Sequence, residues 1–106
     1  MPWLILLVAG LFEVGWAVGL KYTDGFTRVG ASIFTVVALV ASMTLLALAM
    51  RSLPLSTSYA VWTGIGTIGT ALFGFMFLKE PMSAVRIVCI ALIALGILGL
   101  RLSGAD

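Results

Sequence analysis

Residues 2–20 read PWLILLVAGLFEVGWAVGL, and the only charged side chain in this run belongs to Glu13. Three further runs contain no charged residue at all: residues 29–50, 52–78 and 87–100. The hydrocarbon core of a bilayer is about 30 Å thick, and roughly 20 apolar residues in a helix span it. The pattern therefore predicts an all-α membrane protein of four transmembrane helices.

The polar residues between these runs set the expected limits of the helices. We predict a single domain over residues 1–106, with spans at about 3–20, 30–50, 57–78 and 84–103. The fourth run is short, and we extend its span because the long side chains of Arg86 and Arg101 can reach the membrane surface.

The composition excludes several other classes of protein. Only 9% of the residues are charged and 62% are hydrophobic, whereas a soluble domain carries about 25% charged residues. The net charge of +2 comes from isolated basic residues and is too sparse for a nucleic-acid surface. One cysteine and no histidine argue against a metal site, and we expect no cofactor.

The basic residues give a weak signal for orientation in the membrane. Four lie at helix ends expected on one side, and two lie with the amino terminus on the other: Lys21, Arg28, Lys79 and Arg86 against Arg51 and Arg101. The positive-inside rule favours the side with more lysine and arginine. Because this difference is small, insertion in both orientations and a single orientation with both termini outside stay open.

Glu13 is the main candidate for a functional residue. A charged side chain at the centre of a membrane helix costs about 2.5–3.5 kcal/mol on insertion scales, so an intramembrane acid is a functional hypothesis by default. No lysine or arginine lies at comparable depth in any predicted span, which argues against a fixed ion pair. Such a carboxyl group can hold a proton at one stage and a cation at another, as proton-coupled cation exchange requires. The alternative is a permanently protonated Glu13 that only sets packing.

The neighbours of Glu13 favour a cation site. Gly10 and Trp16 lie three residues to either side on the same helical face. The glycine would let a helix or ligand come close, and the indole offers an N–H group or a π-face. Tyr59 and Trp62 repeat the spacing of three in the third span, where they either line such a site or mark the membrane interface.

Small residues indicate helix contacts. Gly64 and Gly66 lie close together in the third span, and two glycines weaken a helix, so we predict a hinge there. Gly96 lies in a fourth span with no polar residue of note, which favours a structural or dimer-forming helix.

The four helices of one chain can enclose only a small part of a path across the membrane. Two inverted copies would supply two Glu13 side chains and imitate the inverted repeats of larger transporters.

The whole chain resembles the small multidrug resistance family of bacterial transporters. The runs that carry the resemblance are Gly10–Val14, Trp16–Lys21, Gly25–Arg28, Ser58–Gly66 and Lys79–Pro81. Within the family the chain is similar to the guanidinium-exporter subtype, because Trp16 stands where the drug-exporting subtype typically has a small residue.

The resemblance implies an antiparallel homodimer in the bacterial inner membrane. It implies a secondary active transporter, not an enzyme, that exports guanidinium and small guanidinyl compounds in exchange for protons. Glu13 would bind both proton and substrate. The other implied site residues would line that site or hydrogen-bond the carboxylate: Gly10, Trp16, Ser42, Tyr59 and Trp62. Ala91 and Gly96 would pack in the dimer.

Two other functions stay open at this point. The first is proton-coupled export of quaternary ammonium or lipophilic cationic drugs, which needs more apolar room than guanidinium does. The second is a small assembly or chaperone-like membrane protein in which Glu13 only sets packing. Guanidinium is planar and charged, and its N–H groups match a carboxylate in a two-point contact. This match favours guanidinium.

Overall fold

The computed structural model describes residues 2–103, and these residues form four α-helices and no strand. The helices are α1 (Pro2–Tyr22), α2 (Val29–Ala49), α3 (Leu55–Phe77) and α4 (Ala84–Leu102). Each is long and apolar enough to cross a membrane, which confirms the predicted fold class. Their limits lie within two residues of the predicted spans. The predicted domain also includes residue 1 and residues 104–106, which lie outside the described range.

The helices pack in a simple order. Helix α1 lies against α2 and α3, while α4 packs against α3. Glycines permit the closest approaches, because a side chain there would meet the neighbouring helix. A Cβ atom at Gly10 would lie 2.5 Å from Ile65 Cγ2, between α1 and α3. A Cβ atom at Gly64 would lie 2.6 Å from Ile97 Cδ1, between α3 and α4.

The buried core lies towards one end of the bundle, where α1 and α3 begin and α2 ends. Its members are apolar residues of these three helices and of the loop after α2: Leu6, Ala9, Leu46, Ala49, Leu53, Val61 and Trp62. At the opposite end of the bundle, where α1 and α3 finish, the described residues form no comparable buried cluster. The space between these two helix ends remains open, and it leads to Glu13.

Helix α4 contributes the least to the interior of the protomer. None of its residues is buried, and the molecule measures 43 × 35 × 16 Å, which is thin in one direction. Ala91 and Gly96 are both exposed, and no atom lies within 4 Å of the position that a Cβ atom at Gly96 would take. The structure therefore leaves the two predicted dimer-packing positions uncovered within one protomer.

Candidate functional site

Glu13 lies near the middle of α1, and its carboxyl group rests on α3. A Cβ atom at Gly66 would overlap Glu13 Oε1, so the acid occupies the space that a side chain at Gly66 would fill. Gly66 in turn lies near the middle of α3. The contact therefore places the carboxyl group close to the centre of the predicted membrane span, at a position that only glycine leaves open.

The carboxyl group has an unsatisfied oxygen. Glu13 Oε1 is buried and accepts no hydrogen bond from any residue in the described part of the chain. One turn further along α1, the indole Nε1 of Trp16 is also buried and unpartnered within that range. Buried polar groups are almost always hydrogen-bonded, because leaving one unsatisfied costs about 1–3 kcal/mol. A proton or a cation with N–H groups would satisfy the carboxylate oxygen.

An open groove begins at Glu13. Its volume is about 380 Å³, and its lining comes from α1, α3, the loop after α3 and the first turn of α4: Glu13, Ala17, Gly66, Thr67, Thr70, Ala71, Glu80 and Arg86. Ala17 follows Glu13 by one turn of α1, and Thr70 follows Gly66 by one turn of α3. The groove therefore runs from the middle of the bundle towards the end where α1 and α3 finish.

A hydrogen-bonded network lies in the other direction from Glu13, towards the buried core. The indole Nε1 of Trp62 donates to Ser42 Oγ at 2.8 Å, and Ser42 Oγ donates to the carbonyl oxygen of Ala9 at 2.7 Å. Both side chains are buried. This network ties α1, α2 and α3 together at one level of the bundle.

The network corrects one expectation about Ser42. A serine hydroxyl has a single proton to donate, and in this structure it goes to the Ala9 carbonyl. Ser42 therefore positions Trp62 and does not donate a hydrogen bond to Glu13. Sequence alone could not reveal this, because the backbone acceptor on α1 becomes visible only once the two helices are packed.

The remaining predicted lining residues fall into different surroundings. Tyr59 stacks at an angle on Trp62, with ring centroids 5.5 Å apart and planes inclined by 49°, and it is 55% exposed on the surface of the protomer. Gly10 is buried against Ile65, so its small size serves the contact between α1 and α3. The structure thus brings Ser42, Tyr59 and Trp62 together, and places Gly10 in a helix contact.

The predicted hinge glycines lie in an uninterrupted helix. Gly64 makes room for Ile97 of α4, and Gly66 makes room for Glu13. A bend at this point would therefore disturb two contacts at once, one to α4 and one to the carboxyl group. The hinge itself stays a prediction.

Sequence reasoning missed two charged residues of the groove, Glu80 and Arg86. Both appeared to be ordinary residues of a polar connection between helices. A usable signal was the spacing of Gly66, Thr70 and Gly74, because small residues four apart share one face of α3 and leave a channel along it. The direction of the Glu80 side chain depends on the turn after α3, which helical spacing does not describe.

Comparison with known proteins finds a matching family and several similar proteins. The sequence pattern of the family described as Small Multidrug Resistance protein matches residues 1–93. A protein of Escherichia coli (strain K12) named guanidinium exporter is 57% identical over 103 residues, which cover 97% of this chain and 98% of that protein. Proteins of the same name from Citrobacter freundii and Salmonella typhimurium are 53% identical, with the same coverage.

Proposed function

The chain belongs to the Small Multidrug Resistance protein family, and on this basis we propose that it exports guanidinium and small guanidinyl compounds in exchange for protons. Its four membrane-spanning helices and its family make it a multi-pass protein of the bacterial inner membrane. Similarity to proteins named guanidinium exporter supports guanidinium as the substrate, and the acid within the membrane supports coupling to protons.

The main support is the carboxyl group of Glu13 beside an open groove, with its oxygen Oε1 buried and unpartnered within residues 2–103. A guanidinium ion offers N–H donors in a plane, and a carboxylate accepts two of them in parallel. A proton satisfies the same group by neutralising it. Because one carboxyl group cannot hold both at once, occupation by one ion requires departure of the other, and this exclusion couples the two movements.

We further propose that two protomers work as an antiparallel homodimer. Helix α4 has no buried residue in the protomer, and Ala91 and Gly96 are free to contact a second copy. Inverted copies would open the equivalent groove to opposite sides of the membrane, as inverted repeats do in larger transporters. Exchange between two equivalent states would then carry Glu13 from one side to the other.

Purified protein in proteoliposomes provides the test. Guanidinium added to one side should be taken up by the vesicles, and protons should move in the opposite direction. Glu13→Gln should abolish both, because the amide keeps the shape of the side chain but neither takes up a proton nor carries a charge. Asp24→Asn is the control, since Asp24 lies in the loop after α1 and does not line the groove. Uptake of quaternary ammonium ions and not of guanidinium would contradict the proposed substrate.

A further inference from the structure

The end of α3 is shaped so that Glu80 turns back over its own helix. The backbone N–H groups of Leu78 and Glu80 both donate to the carbonyl oxygen of Gly74, at 3.1 and 3.0 Å. Lys79 between them has a φ of 57°, which is the left-handed conformation that ends many helices. This turn reverses the chain at a fixed position. The hydrogen-bonded turn therefore fixes the position of Glu80, which does not lie on an extended, freely moving loop.

The carboxyl group of Glu80 then rests on Gly74. A Cβ atom at Gly74 would overlap Glu80 Oε1, just as a Cβ atom at Gly66 would overlap Glu13 Oε1. The two glycines are two helical turns apart, or about 12 Å along α3 at 1.5 Å per residue. The face of α3 between them contributes Thr70 to the groove, and both carboxyl groups line it. The groove therefore carries one acid at its inner end and one at its outer end.

Helix stability does not explain an acid at this position. The last carbonyl groups of a helix carry partial negative charge, so a carboxylate beside them is unfavourable. A basic or neutral residue would suit the turn better. Glu80 also lines the groove along which a cation would have to reach Glu13, and its carboxylate can accept the N–H groups of a guanidinium-type ion directly.

Arg86 shows what kind of group this part of the groove accommodates. Its side chain lines the same groove, and its guanidinium Nη1 donates to the carbonyl oxygen of Pro81 at 2.6 Å. A guanidinium group is thus already present at the outer end, oriented by a backbone acceptor. Its positive charge opposes lasting occupancy by a second cation, and sites that conduct ions must bind weakly enough to release them.

We propose that Glu80 is a second, outer cation-binding carboxylate, through which a guanidinium-type substrate passes on its way to and from Glu13. The inference rests on the proposed function, because it concerns the path of that substrate. Glu80 accepts the ion at the mouth of the groove, Arg86 limits how long it stays, and Glu13 exchanges it for a proton. Glu80 is a substrate-contacting residue in this scheme, and it takes no part in proton exchange.

The test compares rates of guanidinium uptake by proteoliposomes over a range of guanidinium concentrations. Glu80→Gln keeps the size of the side chain and removes its charge. Gly74→Ala keeps both acids and occupies the place of the Glu80 carboxyl group, whose flexible end can move aside without disturbing the helix. Asp24→Asn is the control, because it removes an acid from the other loop at the same end of the bundle. Asp24 has a φ of 51°, which asparagine also tolerates.

We expect Glu80→Gln and Gly74→Ala to raise the half-saturating guanidinium concentration roughly fivefold or more, as for loss of a contact to a charged group. Their maximal uptake rates should stay within about twofold of the rate of the original protein, because Glu13 is intact. Asp24→Asn should change neither quantity. The shift should persist in 0.5 M KCl, a concentration chosen to screen long-range attraction, whereas a direct contact in the groove is screened less.

Three outcomes would overturn the inference. They are an unchanged half-saturating concentration in both variants, an equal shift in Asp24→Asn, and a shift that disappears at high salt. Elution of each variant as a single species in detergent checks its folding, and Gly74→Ala carries the test if Glu80→Gln does not fold. Absence of guanidinium uptake by vesicles with the unaltered protein would refute the proposed function itself, which separates the two failures.

Discussion

The carboxyl group of Glu13 lies directly against the backbone of Gly66, and each residue is near the middle of its helix. This contact joins an acid on α1 to a position of α3 that has no side chain to exclude it. It also fixes where the groove begins, because Gly66 and Glu13 both line its inner end. The proposed exchange of proton and cation therefore depends on a position without a side chain as much as on the acid.

Gly66→Ala should impair transport while leaving the fold intact. The added methyl group would occupy the place of the Glu13 carboxyl group, and the flexible end of the glutamate can move aside. We expect at least a tenfold fall in guanidinium transport, because small misplacements of a reacting group carry large costs. Gly30→Ala is the matched control, since no atom lies within 4 Å of its new methyl group. Equal activity of the two variants would show that the position of Glu13 against α3 is unimportant.

Guanidinium binding should weaken as the pH falls. Protons compete for Glu13, and the protonated carboxyl group offers no charge to the cation. Guanidinium binding is therefore strongest at a pH where Glu13 is ionised, and it is lost as the pH falls and Glu13 becomes protonated. Once most of the groups are protonated, each further pH unit should cost about tenfold in apparent affinity. Calorimetric titrations between pH 8 and 5 would measure this, and a constant affinity over that range would exclude competition at Glu13.

The charge pattern was sufficient to predict the four helices and to select Glu13 as the main candidate for a functional residue. Long uncharged runs leave few alternatives to membrane helices, and an acid within one of them is conspicuous. The groove was not predictable to the same degree. Glu80 enters it through the backbone turn at Lys79, and the partner of Ser42 is a carbonyl group on another helix. Both depend on how the helices pack and end, which apolar periodicity does not encode.

Ser42→Ala should destabilise the protein. It would leave the Trp62 indole N–H and one Ala9 carbonyl contact unsatisfied in a buried place, at a cost of about 1–3 kcal/mol. Thr44→Ala on the same helix is the control, because the Thr44 hydroxyl is exposed and bonds only its own helix at Val40. Thermal unfolding in detergent should show a lower midpoint for Ser42→Ala than for Thr44→Ala. Equal midpoints would mean that the network contributes little to stability.

The protein should insert into the membrane in both orientations. Counts of basic residues on the two sides differ by little, so neither orientation is strongly favoured. The labelling test uses Thr27→Cys in a Cys89→Ser background. Thr27 lies in the exposed loop after α1, so a cysteine there would report the side of the membrane on which that loop lies. An impermeant thiol reagent applied to intact cells should label part of the population, and permeabilisation should label the rest. Complete labelling, or complete protection, before permeabilisation would contradict dual orientation.

Gly96→Val should weaken the homodimer without unfolding the protomer. No atom lies within 4 Å of a Cβ atom at this position, so the protomer has room for valine, whereas a second copy packed on α4 would be held away by it. Gly30→Val is the control, because that position on α2 is equally open.

Trp62→Ala, in contrast to Gly96→Val, should alter transport and leave the dimer intact, since Trp62 is buried inside the protomer. Sedimentation in detergent beside transport in proteoliposomes would measure both properties for all three variants. A stable dimer in Gly96→Val, together with a dissociated Trp62→Ala, would place the dimer contact near α3 and not on α4.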